Sequence, residues 1–168
     1  MILALDLSGR CGWTLGTPGD YLGGGVVALP PIIQPGRMFN ALMDWMCDAL
    51  SGDRPEFLGI RPTFVCTEAP MELPAMVRCH MRTVDAYQQI GLAAVVDCAC
   101  ERYGVDCRQV PVLEARREIL GKSRGWNKES IVAWTRDQDF DPVDDNEADS
   151  IVIWLYACRF WRPKDAAA

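Results

Sequence analysis

The chain has a single histidine, His80, and none of its cysteines stand at C-x-x-C spacing. A structural zinc site needs several such ligands at short spacing, so both scarcities argue against one. No apolar run approaches the roughly 18 residues that cross a bilayer, which argues against a membrane partner. The amino terminus carries no basic segment followed by an apolar stretch and a cleavage site, so no secretory signal is evident and cytoplasmic residence is the expectation. A basic excess is also missing. Seventeen Lys and Arg face 23 Asp and Glu, for a net charge of −6 and a pI near 4.8. That balance excludes a protein that coats nucleic acid indiscriminately, while leaving room for a local basic surface and for clustered acidic metal ligands. The run Gly23-Gly24-Gly25 lacks the G-x-x-x-x-G-K-[ST] pattern of a phosphate loop. It reads instead as a bulged or closely approached strand.

What remains is an ordinary globular composition. The 168 residues are 49% hydrophobic and 24% charged, which suits one domain with a real core. Its expected extent is residues 1–163, followed by a frayed Ala-rich tail at 164–168. The eight cysteines, at 11, 47, 66, 79, 98, 100, 107 and 158, read mostly as small buried hydrophobes in a reducing compartment.

Ile2-Leu3-Ala4-Leu5 is a short continuous apolar run that ends in Asp6. Such a run suits a strand buried on both faces, and a carboxylate at its end must be exposed, hydrogen-bonded or bound to a cation. Residues 11–16 and 21–29 form two more strands through turns at Ser8-Gly9 and Thr17-Pro18-Gly19-Asp20. Apolar residues at helical spacing predict a helix over 37–50, stopped by Ser51-Gly52-Asp53. Residues 62–68 repeat the opening pattern, a short apolar segment ending in Glu68. Residues 71–82 are mixed, with Arg78, His80 and Arg82 close together. A long helix over 84–103 contains Gly91, whose cost in a helix implies close packing against a neighbour. A strand over 105–110, a helix from Pro111 to Leu120, a basic loop over 122–128 and a helix over 128–137 capped by Asn127 follow. The last helix opens with Asp144-Asp145-Asn146-Glu147-Ala148-Asp149. Three consecutive strands imply an antiparallel meander, and strands alternating with helices imply parallel crossovers. The expected fold is α/β: a mixed five-stranded sheet with helices on both faces.

Asp6 and Glu68 both end apolar strands, and Asp149 lies in the first turns of the last helix. If the first and fourth strands are parallel neighbours, both carboxylates emerge at the carboxyl edge of the sheet, where ligand sites form in open α/β sheets. Three convergent carboxylates repel one another unless cations neutralise them, and hard oxygen donors select Mg²⁺ or Mn²⁺. Asn146 and Asp145 precede Asp149 by three and four residues, so both share its side of the helix.

Four stretches carry a resemblance: ILALDLSGRCGWTLG at the start, FVCTEAP in the middle, GKSRGWNKESIV in the basic loop and helix, and DDNEADSIVIWLYA near the end. They resemble the RuvC-type Holliday junction resolvases of the RNase H-like superfamily, especially shorter phage-borne members. Tyr87-Gln88-Gln89-Ile90-Gly91 is similar to that family's helix after the second acid. The resemblance implies an RNase H-like sheet and a metal-dependent endonuclease. Its substrate would be branched DNA, and it would work as a homodimer with two ions per site. It implies that Asp6, Glu68 and Asp149 are metal-binding catalytic acids, that Asn146 is the fourth ligand, and that Lys122, Arg124 and Lys128 face DNA. The family usually carries Asp or His at the position of Asn146, and the turn after Asp6 is one residue shorter than its commonest form. Another RNase H-like nuclease acting on flaps or RNA–DNA hybrids, and a non-catalytic junction-binding module, are the competing readings. Half of a sugar-kinase or actin-like ATPase also begins with such a strand, but that architecture needs two domains and this chain has room for one.

Overall fold

The computed structural model describes residues 1–161, and of Leu73 the backbone alone. The expected tail and the boundary at residue 163 lie outside the described residues. The elements are β1 Ile2–Asp6, β2 Arg10–Thr17, β3 Asp20–Ala28, α1 Pro35–Ser51, a 3₁₀ turn at Pro55–Phe57, β4 Phe64–Glu68, α2 Leu73–Arg78, α3 Thr83–Tyr103, β5 Asp106–Val110, α4 Val112–Leu120, α5 Lys128–Asp137 and α6 Asp145–Phe160.

The sheet runs β3-β2-β1-β4-β5. β1 pairs antiparallel with β2, and β2 with β3, while β1 with β4 and β4 with β5 are parallel. This is the mixed five-stranded sheet expected from the chain order. Helices cover both faces. On one side Leu3, Leu5, Trp13, Leu42, Met46, Leu92 and Val96 form a core with α1 and α3. On the other Ile2, Ala4, Phe64, Cys66, Ile131, Val152 and Trp154 form a core with α4, α5 and α6. Each large aliphatic side chain buried there contributes about 1.5–3 kcal/mol.

Where the elements depart from the sequence reading, backbone chemistry explains it. Pro35 starts α1 two residues early, because the first turn of a helix has no use for the N–H that proline lacks. Pro111 precedes α4 as its N-cap and is not its first residue. The mixed stretch 71–82 contains a one-and-a-half-turn helix, α2, with Pro at its start. Not all cysteines are buried hydrophobes: Cys11, Cys66 and Cys100 are buried, whereas Cys79 and Cys98 are exposed.

The expected glycine-rich close approach is real, and α6 is what approaches. A Cβ on Gly12 would lie 2.0 Å from the Asn146 carbonyl oxygen, one on Gly16 2.8 Å from Trp154, and one on Gly24 2.5 Å from the Glu147 carboxylate. These three glycines open a channel across β2 and β3 into which α6 sinks. Glu147 is buried there, accepting from the Tyr21 hydroxyl at 3.2 Å and from the Val143 backbone N–H at 2.9 Å. Thr14 and Ser150 share a buried hydrogen bond of 2.7 Å across the same seam. Gly91 has a different neighbour: its Cβ would lie 2.3 Å from the Phe39 ring of α1.

Gly12→Ala must therefore push α6 off the sheet. Overpacking of this kind costs about 1–3 kcal/mol or more. Urea unfolding should show that loss, whereas Gly23→Ala, whose Cβ meets nothing within 4 Å, should unfold within about 1 kcal/mol of the parent. Equal midpoints for the two variants would contradict the channel.

Candidate active site

Strand alternation decides where the acids point. Ile2 and Ala4 on β1, and Phe64 and Cys66 on β4, face the α6 side. With a period of two, Asp6 and Glu68 continue those rows toward α6. The parallel register pairs Leu5 with Thr67, so the next residues on each strand are the two carboxylates, side by side at the carboxyl edge. Asp149 arrives from the second turn of α6. Asp144 caps this helix, accepting from the backbone N–H groups of Asn146 at 2.9 Å and Glu147 at 3.2 Å. Arg10 at the start of β2 holds Asp144 at 2.8 Å.

The three acids are electrostatic neighbours. Asp6 is 9% exposed. Burial pushes its carboxyl well above the usual range, and the charges of Glu68, Asp149 and Asp145 push the same way. Glu68 is raised chiefly by burial, with Asp149 adding to the shift while a hydrogen bond from Asp6 and the charge of Arg116 oppose it. Burial also raises Asp149, against the pull of Arg116, which donates to Asp149 Oδ1 at 3.1 Å.

The remaining expected residues separate into groups. Asn146 turns toward the β1–β2 turn, where its amide oxygen accepts from the Ser8 hydroxyl at 3.3 Å. Asp145 faces Lys128, with which it forms an ion pair, and its charge reaches both Asp6 and Asp149. Lys128, at the start of α5, lies close enough to Asp145, Asp149 and Asp6 for all three to favour its charged form. Lys122 sits over the Trp126 ring at 5.1 Å, and Trp126 donates to the Lys122 carbonyl at 3.0 Å, which braces the basic loop internally. Lys122 has no contact with the acids. Arg124 is exposed in the same loop.

Two contributors escaped the sequence reading. Arg116 lies in the partly buried stripe of α4, next to Ala115 and one turn before Leu120. A cation at a stripe position was the available signal. Gln89 of α3 lines, with Leu7, Glu68, Ala69 and Pro70, a small recess beside Glu68.

The donors are hard oxygens crowded without full charge compensation, which is the chemistry that takes a divalent cation such as Mg²⁺ or Mn²⁺. Among the described residues, no three acidic, thiol or imidazole groups already enclose a point where an ion would sit. Asp149 is instead held by Arg116.

The comparisons with known proteins agree with this fold. No protein-family model matches the chain, and no curated protein matches it. Solved structures do. The chain is similar to the Thermus thermophilus RuvC structure, with a TM-score of 0.67, 17% identity, and 94% of this chain and 95% of that one covered. It is also similar to T. thermophilus RuvC in complex with a Holliday junction substrate, with a TM-score of 0.67 and 14% identity, covering 94% of each chain. The shared feature at this identity is the RuvC-type RNase H-like fold.

The raised carboxyls make a pH prediction. A folded-state value above the unfolded one adds stability that is complete below the unfolded value and lost as pH rises through the folded value. Unfolded carboxyls titrate near pH 4. In chelator, the melting temperature should therefore fall as pH rises above the unfolded carboxyl range, and Mg²⁺ or Mn²⁺ should shrink that fall. Calorimetric melts from that range upward check it; a level or rising profile in chelator would contradict the crowding.

Proposed function

We propose that this chain is a metal-dependent, structure-selective endonuclease that resolves branched DNA, Holliday junctions in particular. The observation that carries the reading is the convergence of Asp6, Glu68 and Asp149 at the carboxyl edge of a RuvC-type sheet. The likeness to a RuvC bound to a Holliday junction supports the choice of substrate.

In this reading Asp6, Glu68 and Asp149 would hold the Mg²⁺ or Mn²⁺ ions, two per site. Bound there, the ions supply an activated water and charge stabilisation for the leaving oxygen of the phosphodiester. Asn146 offers an amide oxygen as the fourth ligand, which brings no negative charge. Asp145, one residue earlier and closer in charge to Asp6, is its rival for that place. Lys128 orients a DNA phosphate from the first turn of α5, with Lys122 and Arg124 extending the basic edge. Eight free cysteines suit the reducing cytoplasm, and no described helix is long and apolar enough to cross a membrane.

A junction presents two symmetric scissile strands, which a two-fold dimer matches. α3 offers the surface for a second copy. Val84, Tyr87 and Ile90 are 38%, 54% and 46% exposed, and Ala94 and Cys98 continue the stripe in the exposed class. Their spacing of three and four residues makes one apolar helix face. Gly91 lies at the α1 edge of this face, where it and Tyr87 both meet Phe39.

Cleavage of four-way, flap, linear and RNA–DNA hybrid substrates in Mg²⁺, Mn²⁺ and chelator tests the activity. The four-way junction should be cut best, and only with metal. Asp6→Asn, Glu68→Gln and Asp149→Asn should each lower the rate by at least about a hundredfold, with DNA binding in Ca²⁺ retained. Asp6→Asn protein that cuts at the parental rate would remove the assignment. The same assay against Mn²⁺ concentration separates Asn146→Ala from Asp145→Asn. The true fourth ligand is the one whose loss raises the Mn²⁺ requirement.

Light scattering should find a dimer, and Ile90→Asp should convert it to a folded monomer that nicks one strand without the paired second cut. A parent that is monomeric with and without a junction would overturn the two-fold arrangement.

A further inference from the structure

Arg116 is the most enclosed cation in an ion pair. Its side chain and that of Asp149 are 23% and 21% exposed, whereas every other pair among the described residues has at least one partner more than a quarter exposed. Yet its bonding is incomplete. A single Nη2 bond reaches Asp149 Oδ1 at 3.1 Å, and the buried Nε has no partner. A guanidinium built only to brace the fold would present its donors as a fork, two bonds to one carboxylate. This one leaves a buried donor free at the edge of an acidic centre, a costly arrangement for a purely structural residue.

The surroundings say what the free donor is for. Arg116 reaches Glu68 as well as Asp149 with its charge. Lys128 also acts on the acids, but it is paired with Asp145. Asp149 is the acid that Arg116 touches directly.

We propose that Arg116 is an exchangeable counter-ion: it holds Asp149 when no divalent cation is bound, yields Asp149 to the cation, and passes to a DNA phosphate. This inference rests on the metal-dependent nuclease reading. It makes Arg116 a positioning residue that couples metal loading to substrate binding. The ion on the Asp149 side competes with a tethered cation until phosphate draws that cation away. The planar fork of arginine suits the hand-over, because a phosphate offers the two-oxygen edge that the single bond to Asp149 does not use.

The test is calorimetric titration of the full chain with Ca²⁺, which occupies oxygen sites without supporting cleavage, with and without a four-way junction. For the parent, junction DNA should tighten Ca²⁺ binding by about tenfold, within the usual range of couplings between two ligands. Arg116→Gln should bind Ca²⁺ more tightly than the parent without DNA and lose most of the DNA-linked gain. Arg116→Lys, which keeps the charge, should restore the parental Ca²⁺ affinity without DNA. Arg116→Gln should also melt lower than the parent in chelator and recover when Ca²⁺ is added. Unchanged or weaker Ca²⁺ binding by Arg116→Gln overturns the proposal, as does a lowered melting temperature that Ca²⁺ does not restore, because both describe a structural brace. A parent that binds no Ca²⁺ or Mn²⁺, with or without DNA, overturns both this inference and the metal-nuclease reading. A parent that binds the ions normally while Arg116→Gln matches it overturns this inference alone.

Discussion

The seating of α6 in the glycine channel of β2 and β3 is the constraint on which the rest depends. A helix carried on a sheet by side chains alone would stand about 10 Å away, with room to slide or roll. Here the Asn146 carbonyl comes to the backbone of Gly12, and the Glu147 carboxylate occupies the space above Gly24. Contacts to backbone allow far less adjustment than contacts between flexible side chains. The buried Glu147, with its bonds from Tyr21 and Val143, and the Asp144 cap tied to Arg10, fix the rotation of the first turn. That rotation sends Asp149 toward Asp6 and Glu68 and places Asn146 over Ser8. A helix set one residue differently would turn a different side chain inward, about 100° away.

The second constraint is electrostatic, and it opposes the first. Packing brings carboxylates together that would otherwise stay apart. The chain answers locally in two ways: a guanidinium on Asp149 and an ammonium on Asp145. Each is a reversible compensation that a divalent cation can replace. A fully apolar pocket would be more stable, but it could not collect positive charge. The fold therefore stores repulsion in one corner and holds it with two well-packed cores that do not share residues with it.

How much of this the sequence discloses follows from how local each signal is. The acids at the ends of β1 and β4 are legible because a carboxylate after four apolar residues is conspicuous. Their adjacency follows from strand order, since a meander followed by crossovers leaves β4 free to pair with β1. The Asn127 cap and the α5 helix are legible because capping chemistry lies within four residues. The glycine run can be read as a close approach, but its partner cannot, because Glu147 lies more than 120 residues away. Gly91 is similar: the sequence predicts a neighbour, and only the packing of α1 shows that it is Phe39. Arg116 is the hardest case. Its helix is plain from periodicity, but a 3.6-residue repeat does not reveal that one edge of the stripe opens on an acidic centre. Nor can spacing choose between Asp145 and Asn146, because three and four residues both return to the same face.

The overall charge gains a different meaning from this arrangement. A net charge of −6 repels a polyanion, and the cations nearest the acids are already engaged: Arg10 with Asp144, Lys128 with Asp145, Arg116 with Asp149. A phosphate approaching that edge meets neutral pairs, not a free basic patch. Attraction appears only when something else takes the carboxylates. Divalent cations bound by the acids would add positive charge and release Arg116 from Asp149 at the same time, so one event makes a neutral edge more cationic. In the proposed reading, discrimination against DNA in the metal-free state follows from this pairing alone, with no moving lid. Salt weakens phosphate contacts in any such protein, but here it should do so most steeply with metal present, because only then is Arg116 free to make such a contact.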